Sequence, residues 1–343
     1  MSKNTIYQIA EQVGVSPSTV SRALSGNGYC GKRTKLKIME AAKALNYAPD
    51  QAAKMLKTRK TNKIIFAVPD ICNPFYFDMI NGINQVAEEY GYLLILFYTK
   101  HRLSEELKAI QNVKERAADG MIMVSFHFCE ENIQAINDLS APVVLTNQYV
   151  SPAGEDRFDY VYVDTFAGTK QGTEHLIQQG MERIAFIGGS LREQTGLQRY
   201  GGYREALLEG GLPYADELVK ESDYTEAGGY EAAKQLLLLN NRPQAIVAAN
   251  DLMAIGVMHA CEEAGLSIPR DMAVVGMDNL DISSRVHPKL TSVSLMQEEI
   301  GKQAARILMN RLHGNDISDR AVKMMPKLVV RQSSKRQASD SNI

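Results

Sequence analysis

The sequence predicts a small all-α head followed by a two-lobed α/β body. Three observations carry that prediction. Charge is divided unevenly, with 11 Lys+Arg against 3 Asp+Glu in residues 1–60 and 27 against 37 in the rest of the 343-residue chain. Apolar residues recur at helical spacing through the first 45 positions. From residue 63 the pattern changes to short apolar runs alternating with helical segments, the rhythm of a buried parallel sheet.

In the head, Ile6, Ile9, Ala10 and Val13 fall on one helical face, and Thr5 with Gln8 forms a capping box, so a first helix starts at about residue 6. Gly14 supplies a turn. Ser16 then caps a second helix with Pro17 at its first position, continuing through Val20, Ala23 and Leu24. A third helix is expected from about Thr34, with Ile38, Ala41, Ala42 and Leu45 inward. Two short helices across a tight turn, with a third in support and a net charge of +8, predict a DNA-binding helix-turn-helix. The second helix would enter the major groove. Its N-terminal turn and outward face carry Pro17, Ser18, Thr19, Ser21 and Arg22; Arg22 can read a guanine edge and the hydroxyls can hold phosphates. "GNGYCG" at residues 26–31 matches the dinucleotide fingerprint, but it follows a helix rather than a strand and is expected to be a loop.

"TIYQIAEQVGVSPSTVSRALSG" resembles the N-terminus of the LacI/GalR family of bacterial transcription regulators. The likeness continues through "YAPDQAAKMLKT" and, more loosely, to about residue 332. It departs at Ser25, where asparagine is common, and at "YCGKRT", which replaces the usual lead-in to the third helix. The resemblance implies operator contacts from Thr5, Tyr7, Ser16, Thr34 and Tyr47 besides the second-helix residues. It also makes residues 49–62 a hinge helix. The segment's own pattern agrees: basic positions flank Ala53 and Leu56, and two or three turns of helix are marginal in free solution. Leu56 would wedge a base step from the minor groove, Ala53 would permit close approach, and Lys57 with Lys54 would meet phosphates.

The body's expected strands are "KIIFAVP", "YLLILFY", "GMIMVS", "PVVLTN" and "YVYVD", then "RIAFIGG", "AIVAAN" and "MAVVGMD". Two successive halves, each closing its own sheet, imply a cleft, and ligands bind at the carboxyl ends of such strands. The tips there hold Asn, Asp, aromatic and hydroxyl groups, among them Ser125 and Asn147, a mixture suited to a sugar-like ligand. The resemblance implies a fold like that of type I periplasmic sugar-binding proteins, with Asn73, Phe75 and Tyr76 on one wall of the cleft. The same resemblance implies Arg199, Tyr224, Asn250 and Asp278 on the other. Asn73 can instead cap the helix begun near Pro74, Phe75 and Tyr76 can be core, and Asn250 and Asp278 can serve loop backbone. Asn147-Gln148, where Asp-Arg is frequent, and Leu295, where glutamine is, depart from the sugar-responsive pattern.

Other classes are poorly supported. The cysteines at 30, 72, 129 and 261 suggest neither disulfides nor a metal site, and the six histidines are dispersed. His175 is expected on a helix surface. No phosphate-binding loop, zinc motif or nucleophile elbow occurs, so no cofactor and no catalysis are expected. No long apolar run and no signal-peptide core is present, which predicts a cytoplasmic protein without membrane contact. The expected organisation is a head at 1–48, a hinge at 49–62, a body at 63–332 and a polar tail at 333–343. The expected function is an operator-binding homodimer, a repressor by resemblance, controlled by a small molecule in the cleft; the alternative is control by a phosphorylated carrier protein, as in the family's catabolite-control branch.

Overall fold

The computed structural model describes residues 6–25, 29–47, 60–127, 129–147, 158–315 and 321–335. Thr5, Ala53, Leu56 and Lys57, and with them the expected hinge helix, lie outside the described residues. The chain divides into two compact units, residues 1–61 and 62–343.

The first unit holds helices α1 (Ile6–Val13), α2 (Pro17–Ser25) and α3 (Lys32–Ala44). Ile9, Val20 and Ile38, one from each helix, are wholly buried and meet in a core completed by Ala10, Ala23, Ala41 and Ala42. Small residues around three large ones let short helices approach closely at native packing density. The third helix begins two residues before the expected Thr34. Gly31 stands at its N-cap, and its carbonyl accepts from the Lys35 amide at 2.9 Å. Glycine is tolerated at an N-cap without offering a side-chain oxygen, so a search for a hydroxyl cap misses it.

In the second unit the chain runs β1 (Lys63–Val68), α4 (Phe75–Glu89), β2 (Leu93–Tyr98), α5 (Leu103–Lys114), β3 (Gly120–Met123), α6 (Glu130–Asn137), β4 (Val143–Leu145) and β5 (Asp159–Val163). It continues through α7 (Thr165–Gln178), β6 (Ile184–Gly188), α8 (Gln194–Glu209), β7 (Val219–Glu221), α9 (Glu226–Leu237), β8 (Ala245–Ala248), α10 (Asp251–Glu263), β9 (Ala273–Asp278) and β10 (Thr291–Ser294). It ends with α11 (Gln297–Leu312), β11 (Ala321–Met324) and β12 (Lys327–Val329). These strands make two six-stranded sheets, in the orders β11-β5-β4-β3-β1-β2 and β12-β10-β9-β8-β6-β7. The described pairings are parallel except that of β12 with β10.

Three expectations need correction. The halves are not consecutive along the chain: β11 joins the first sheet, and α11 packs against α4 in the first lobe. The backbone therefore crosses between lobes after β5, after β10 and after β11. Gly82 of α4 and Gly301 of α11 let the two helices touch, since a Cβ on either would strike the other helix's backbone at Glu298 or Met79. That pairing is long-range, so nothing in the local pattern announces it. Next, β2 is an edge strand rather than one buried on both faces, leaving Leu93, Leu96 and Tyr98 exposed. Last, the folded body extends past residue 332. Ser333 and Ser334 are wholly buried, and Ser333 hydrogen-bonds Val274, Lys289 and Thr291. His175, expected on a helix surface, is half-buried there, its Nε2 2.8 Å from the Ser334 Oγ, and burial lowers its pKa.

Candidate functional site

Two surfaces, one in each unit, carry the candidate chemistry. In the head, Gly14 turns the chain with φ of +71°, a conformation glycine adopts without strain. Ser16 then caps α2: its Oγ accepts from the Thr19 amide at 3.2 Å and lies 2.8 Å from both the Ser18 and Thr19 hydroxyls. The hydroxyls expected to meet phosphate are thus prearranged around one helix N-terminus, where backbone amides also favour an anion. Ser16, Ser18 and Arg22 are exposed, while Pro17, Thr19 and Ser21 are half-buried. The Arg22 Nε donates to the Ser18 carbonyl at 3.3 Å, aligning the side chain along its own helix. Tyr7 is exposed on α1, and Lys32, Arg33, Lys35 and Lys37 crowd the exposed start of α3 beside half-buried Thr34. Tyr47 instead packs against the head's core.

In the body, the strand tips of both lobes enclose a cavity of about 320 Å³. From the first lobe Asn73, Phe75 and Tyr76 line it after β1, and Asn147 lines it after β4; from the second come Arg199, Tyr224, Asn250 and Asp278. The expected Ser125 is not among the lining residues. It is buried behind the wall, its hydroxyl donating to Glu106 at 2.7 Å, because a side chain one residue short of the tip points back into the lobe.

The amides on the wall are largely engaged by backbone. Asn73 Oδ1 accepts from the Phe75 amide at 3.0 Å at the start of α4. Asn147 bonds the backbone of Ser125 through both its amide atoms. Asn250 caps α10, accepting from the Met253 amide at 2.9 Å and donating to the Tyr224 carbonyl at 2.8 Å. One N–H of Asn250 remains for a ligand.

Asp278 is different. It is 4% exposed, and its Oδ1 has no hydrogen-bond partner among the described residues. Burial raises its pKa, while Arg199 pulls the other way and Asp251 adds to the rise. Arg199 is itself buried, its Nε donating to the Met277 sulfur and its guanidinium 5.4 Å from the Tyr224 ring. The Tyr224 hydroxyl is also buried without a partner among the described residues. Tyr224, Asp278 and Asn279 adopt φ of +64°, +110° and +57°, and backbone strain of this kind persists only where surroundings enforce it. The enforcement is visible. Gly189 leaves space that the Tyr224 ring fills, and Asp251 fixes the segment after β9 by accepting from the Leu280 amide and the Ser283 and Ser292 hydroxyls. The Gln297 side chain, from the first lobe's α11, donates to the Asp278 carbonyl at 2.7 Å and ties the lobes at this point. Unpaired buried polar atoms on a strained, tethered wall suit a ligand that brings its own hydroxyl groups.

The match to known proteins covers both surfaces. Residues 5–50 match the model for bacterial regulatory proteins of the lacI family, and residues 173–334 match a periplasmic binding protein-like domain. Catabolite control protein A of Priestia megaterium is 33% identical over 96% of this chain and 99% of its own length. The chain belongs to the lacI family of bacterial regulatory proteins. The ribose operon repressor of Escherichia coli K12 is 30% identical over 96% of this chain and 99% of its own. Among solved structures, the complex of the regulator CelR with cellobiose is 29% identical with a TM-score of 0.73, covering 96% of this chain and 99% of the other. The lac repressor dimer, bound to operator and anti-inducer, shares the fold at a TM-score of 0.88 and 24% identity, over 97% and 99% of the two chains.

This lacI-family transcriptional regulator has further wall residues that sequence reasoning missed. Gln194 and Gln198 lie one turn apart on α8 and face the cavity with Arg199. Tyr162 enters from β5, whose alternating burial was a usable signal in "YVYVD". His101 and Phe126 meet on the first-lobe wall at 5.4 Å between ring centroids. Leu295, in place of a polar contact, makes that part of the wall apolar. Acidic groups dominate: Asp70, Asp223, Glu226 and Asp278 line the cavity against Arg199. Asp223 accepts from the Thr225 hydroxyl at 2.7 Å, and that bond lowers its pKa and holds it ionised. Among the described residues no cluster of potential metal ligands occurs, and no helix is long and apolar enough to cross a membrane.

Proposed function

We propose that the chain is a cytoplasmic repressor that binds double-stranded operator DNA as a homodimer and is controlled by an uncharged, polyhydroxylated effector in the body's cavity. The observation that carries this is the joining, in one chain, of a helix-turn-helix head to a cavity lined by a buried carboxyl, one oxygen of which has no partner among the described residues. Arg199, Asn250 and Asp278 would hold effector hydroxyls, with Phe75, Tyr76 and Tyr224 against the ring's C–H face. No chemical step is assigned to the cavity. The acidic lining argues against phosphorylated or carboxylated effectors, since like charges in a partly enclosed space repel strongly.

Dimerisation is supported by the edge strand β2, which carries exposed Leu93, Leu96 and Tyr98, with exposed Phe77 on the neighbouring α4. An apolar edge of that length invites pairing unless a partner covers it. Two heads would then read two half-sites.

Fluorescence anisotropy on operator DNA is the test, with D-glucose, D-ribose, cellobiose and glucose 6-phosphate added in turn. A neutral sugar is expected to change operator affinity and the phosphate to leave it unchanged; an effect from the phosphate alone would reverse the assignment. A second reading, control by a phosphorylated carrier protein, is favoured by the 33% identity to catabolite control protein A. Retention of the phosphorylated carrier, and of no unphosphorylated carrier, on the immobilised chain would select it.

A further inference from the structure

Behind the first-lobe wall lies a wholly buried carboxylate with no lysine or arginine partner among the described residues. Glu106, in the first turn of α5, accepts from the Ser125 hydroxyl at 2.7 Å, the Asn132 amide at 2.6 Å and the His127 Nδ1 at 2.9 Å. The Phe126 backbone N–H adds a longer bond at 3.4 Å. Cross-bonds close the cluster: Asn132 also donates to the His127 carbonyl at 2.9 Å, and the His127 amide donates to the Ser125 hydroxyl at 3.2 Å. One side chain thus fixes three consecutive residues, 125 to 127. The middle one, Phe126, is the one that faces the cavity.

Phe126 rests on His101, and His101 needs holding too. Lys100 and His101 both adopt left-handed backbone, with φ of +56° and +51°, immediately before the helix that bears Glu106. Two strand tips, one after β2 and one after β3, therefore meet at a pair of rings whose positions both depend on the start of α5. A buried carboxylate is a costly way to brace a loop, because desolvation is repaid only when every donor is in place. An apolar residue would support the fold at lower cost. What the carboxylate adds is a single permitted geometry for the loop.

We infer that Glu106 is a positioning residue that fixes the Phe126–His101 wall and so sets which effector sizes the cavity accepts. This rests on the cavity being the effector site. Loosening the wall would enlarge the first-lobe side and shift preference from a monosaccharide toward a disaccharide, while the Arg199–Asp278 side stays intact.

The chain contains no tryptophan, so Phe126→Trp gives the full-length protein one fluorescent reporter on the wall. Acrylamide quenching of that reporter is expected to rise at least twofold when Glu106→Gln or Ser125→Ala is added, because each removes a bond that fixes the loop. In the protein without the reporter, Glu106→Gln should change the ratio of D-ribose to cellobiose affinity at least fivefold. Ile110→Val, a cavity-forming change on the same helix, is the control: it lowers the melting temperature and should move neither readout. Unchanged quenching in both variants overturns the inference, as does raised quenching with an unchanged sugar ratio. If neither sugar binds the wild-type chain while quenching still rises, the effector assignment fails and the positioning of the wall stands.

Discussion

Replacing Asp278 by asparagine separates binding from folding, because the structure gives the two effects opposite signs. The carboxyl is 4% exposed, and one oxygen has no partner among the described residues, so on the proposed reading it serves a molecule that enters the cavity. Leaving a buried hydrogen-bonding group of the ligand without its partner costs about 1–3 kcal/mol, so Asp278→Asn should weaken effector binding by about 5- to 150-fold. Stability runs the other way. Burial raises the Asp278 pKa, so the folded state holds that proton more tightly than the unfolded chain. Stability from this group is therefore full below the ordinary carboxylate range and is lost as pH rises through the raised folded value. Asparagine has no such loss, so the variant's melting temperature should equal or exceed the wild type's near neutrality, with the gap widening as pH rises above the ordinary carboxylate range. Asp251, also buried and pushed up to about 6, adds to the Asp278 rise, so removing the Asp278 charge also relieves that repulsion and adds to the same trend. Isothermal titration with the best-binding sugar and thermal melts across pH supply both readouts. A variant that melts lower at neutral pH and binds its sugar unchanged would refute the assignment and return Asp278 to a structural role.

Further outcomes are expected at the other surfaces. Arg22→Ala should cost about 1–3 kcal/mol on the operator and far less on scrambled DNA, read as the ratio of the two affinities. Leu56→Ala, in the segment outside the described residues, should reduce operator affinity and DNA bending while sugar binding stays intact; an unchanged bend by gel mobility would make residues 49–62 a spacer. Leu96→Lys places a charge on the exposed edge of β2 and should yield monomers in sedimentation velocity without lowering the melting temperature of the isolated chain by more than a few degrees.

Much was legible before any coordinates because it is written in local pattern. The three head helices follow from the spacing of Ile9, Val20 and Ile38 and from the Ser16-Pro17 start, and α3 was misplaced only where glycine served as a silent cap. Strands β1, β3, β4, β6, β8 and β9 are short apolar runs, and their tips supplied Asn73, Asn147, Asn250 and Asp278. The fold class and the place of the cavity were thus determined by the sequence itself, through helical and strand periodicity and the rule that ligands collect at strand carboxyl ends.

Tertiary structure decided the rest, where partners lie far apart along the chain. β10, β11 and β12 carry too little apolar signal to stand out, yet they complete both sheets and return the chain across the lobes. Ser333 looked like polar tail until strand β9 and Lys289 supplied its hydrogen bonds. Ser125 turns away from the cavity, toward Glu106, for the same reason: an alternating side chain either meets the cavity or its back, and only the packed lobe determines which. The state of Asp278 was also invisible in its own neighbourhood, since the deciding fact is a buried oxygen with no hydrogen-bond partner among the described residues. Local periodicity encodes elements and their ends; the completeness of a hydrogen-bond shell is a property of the assembled whole.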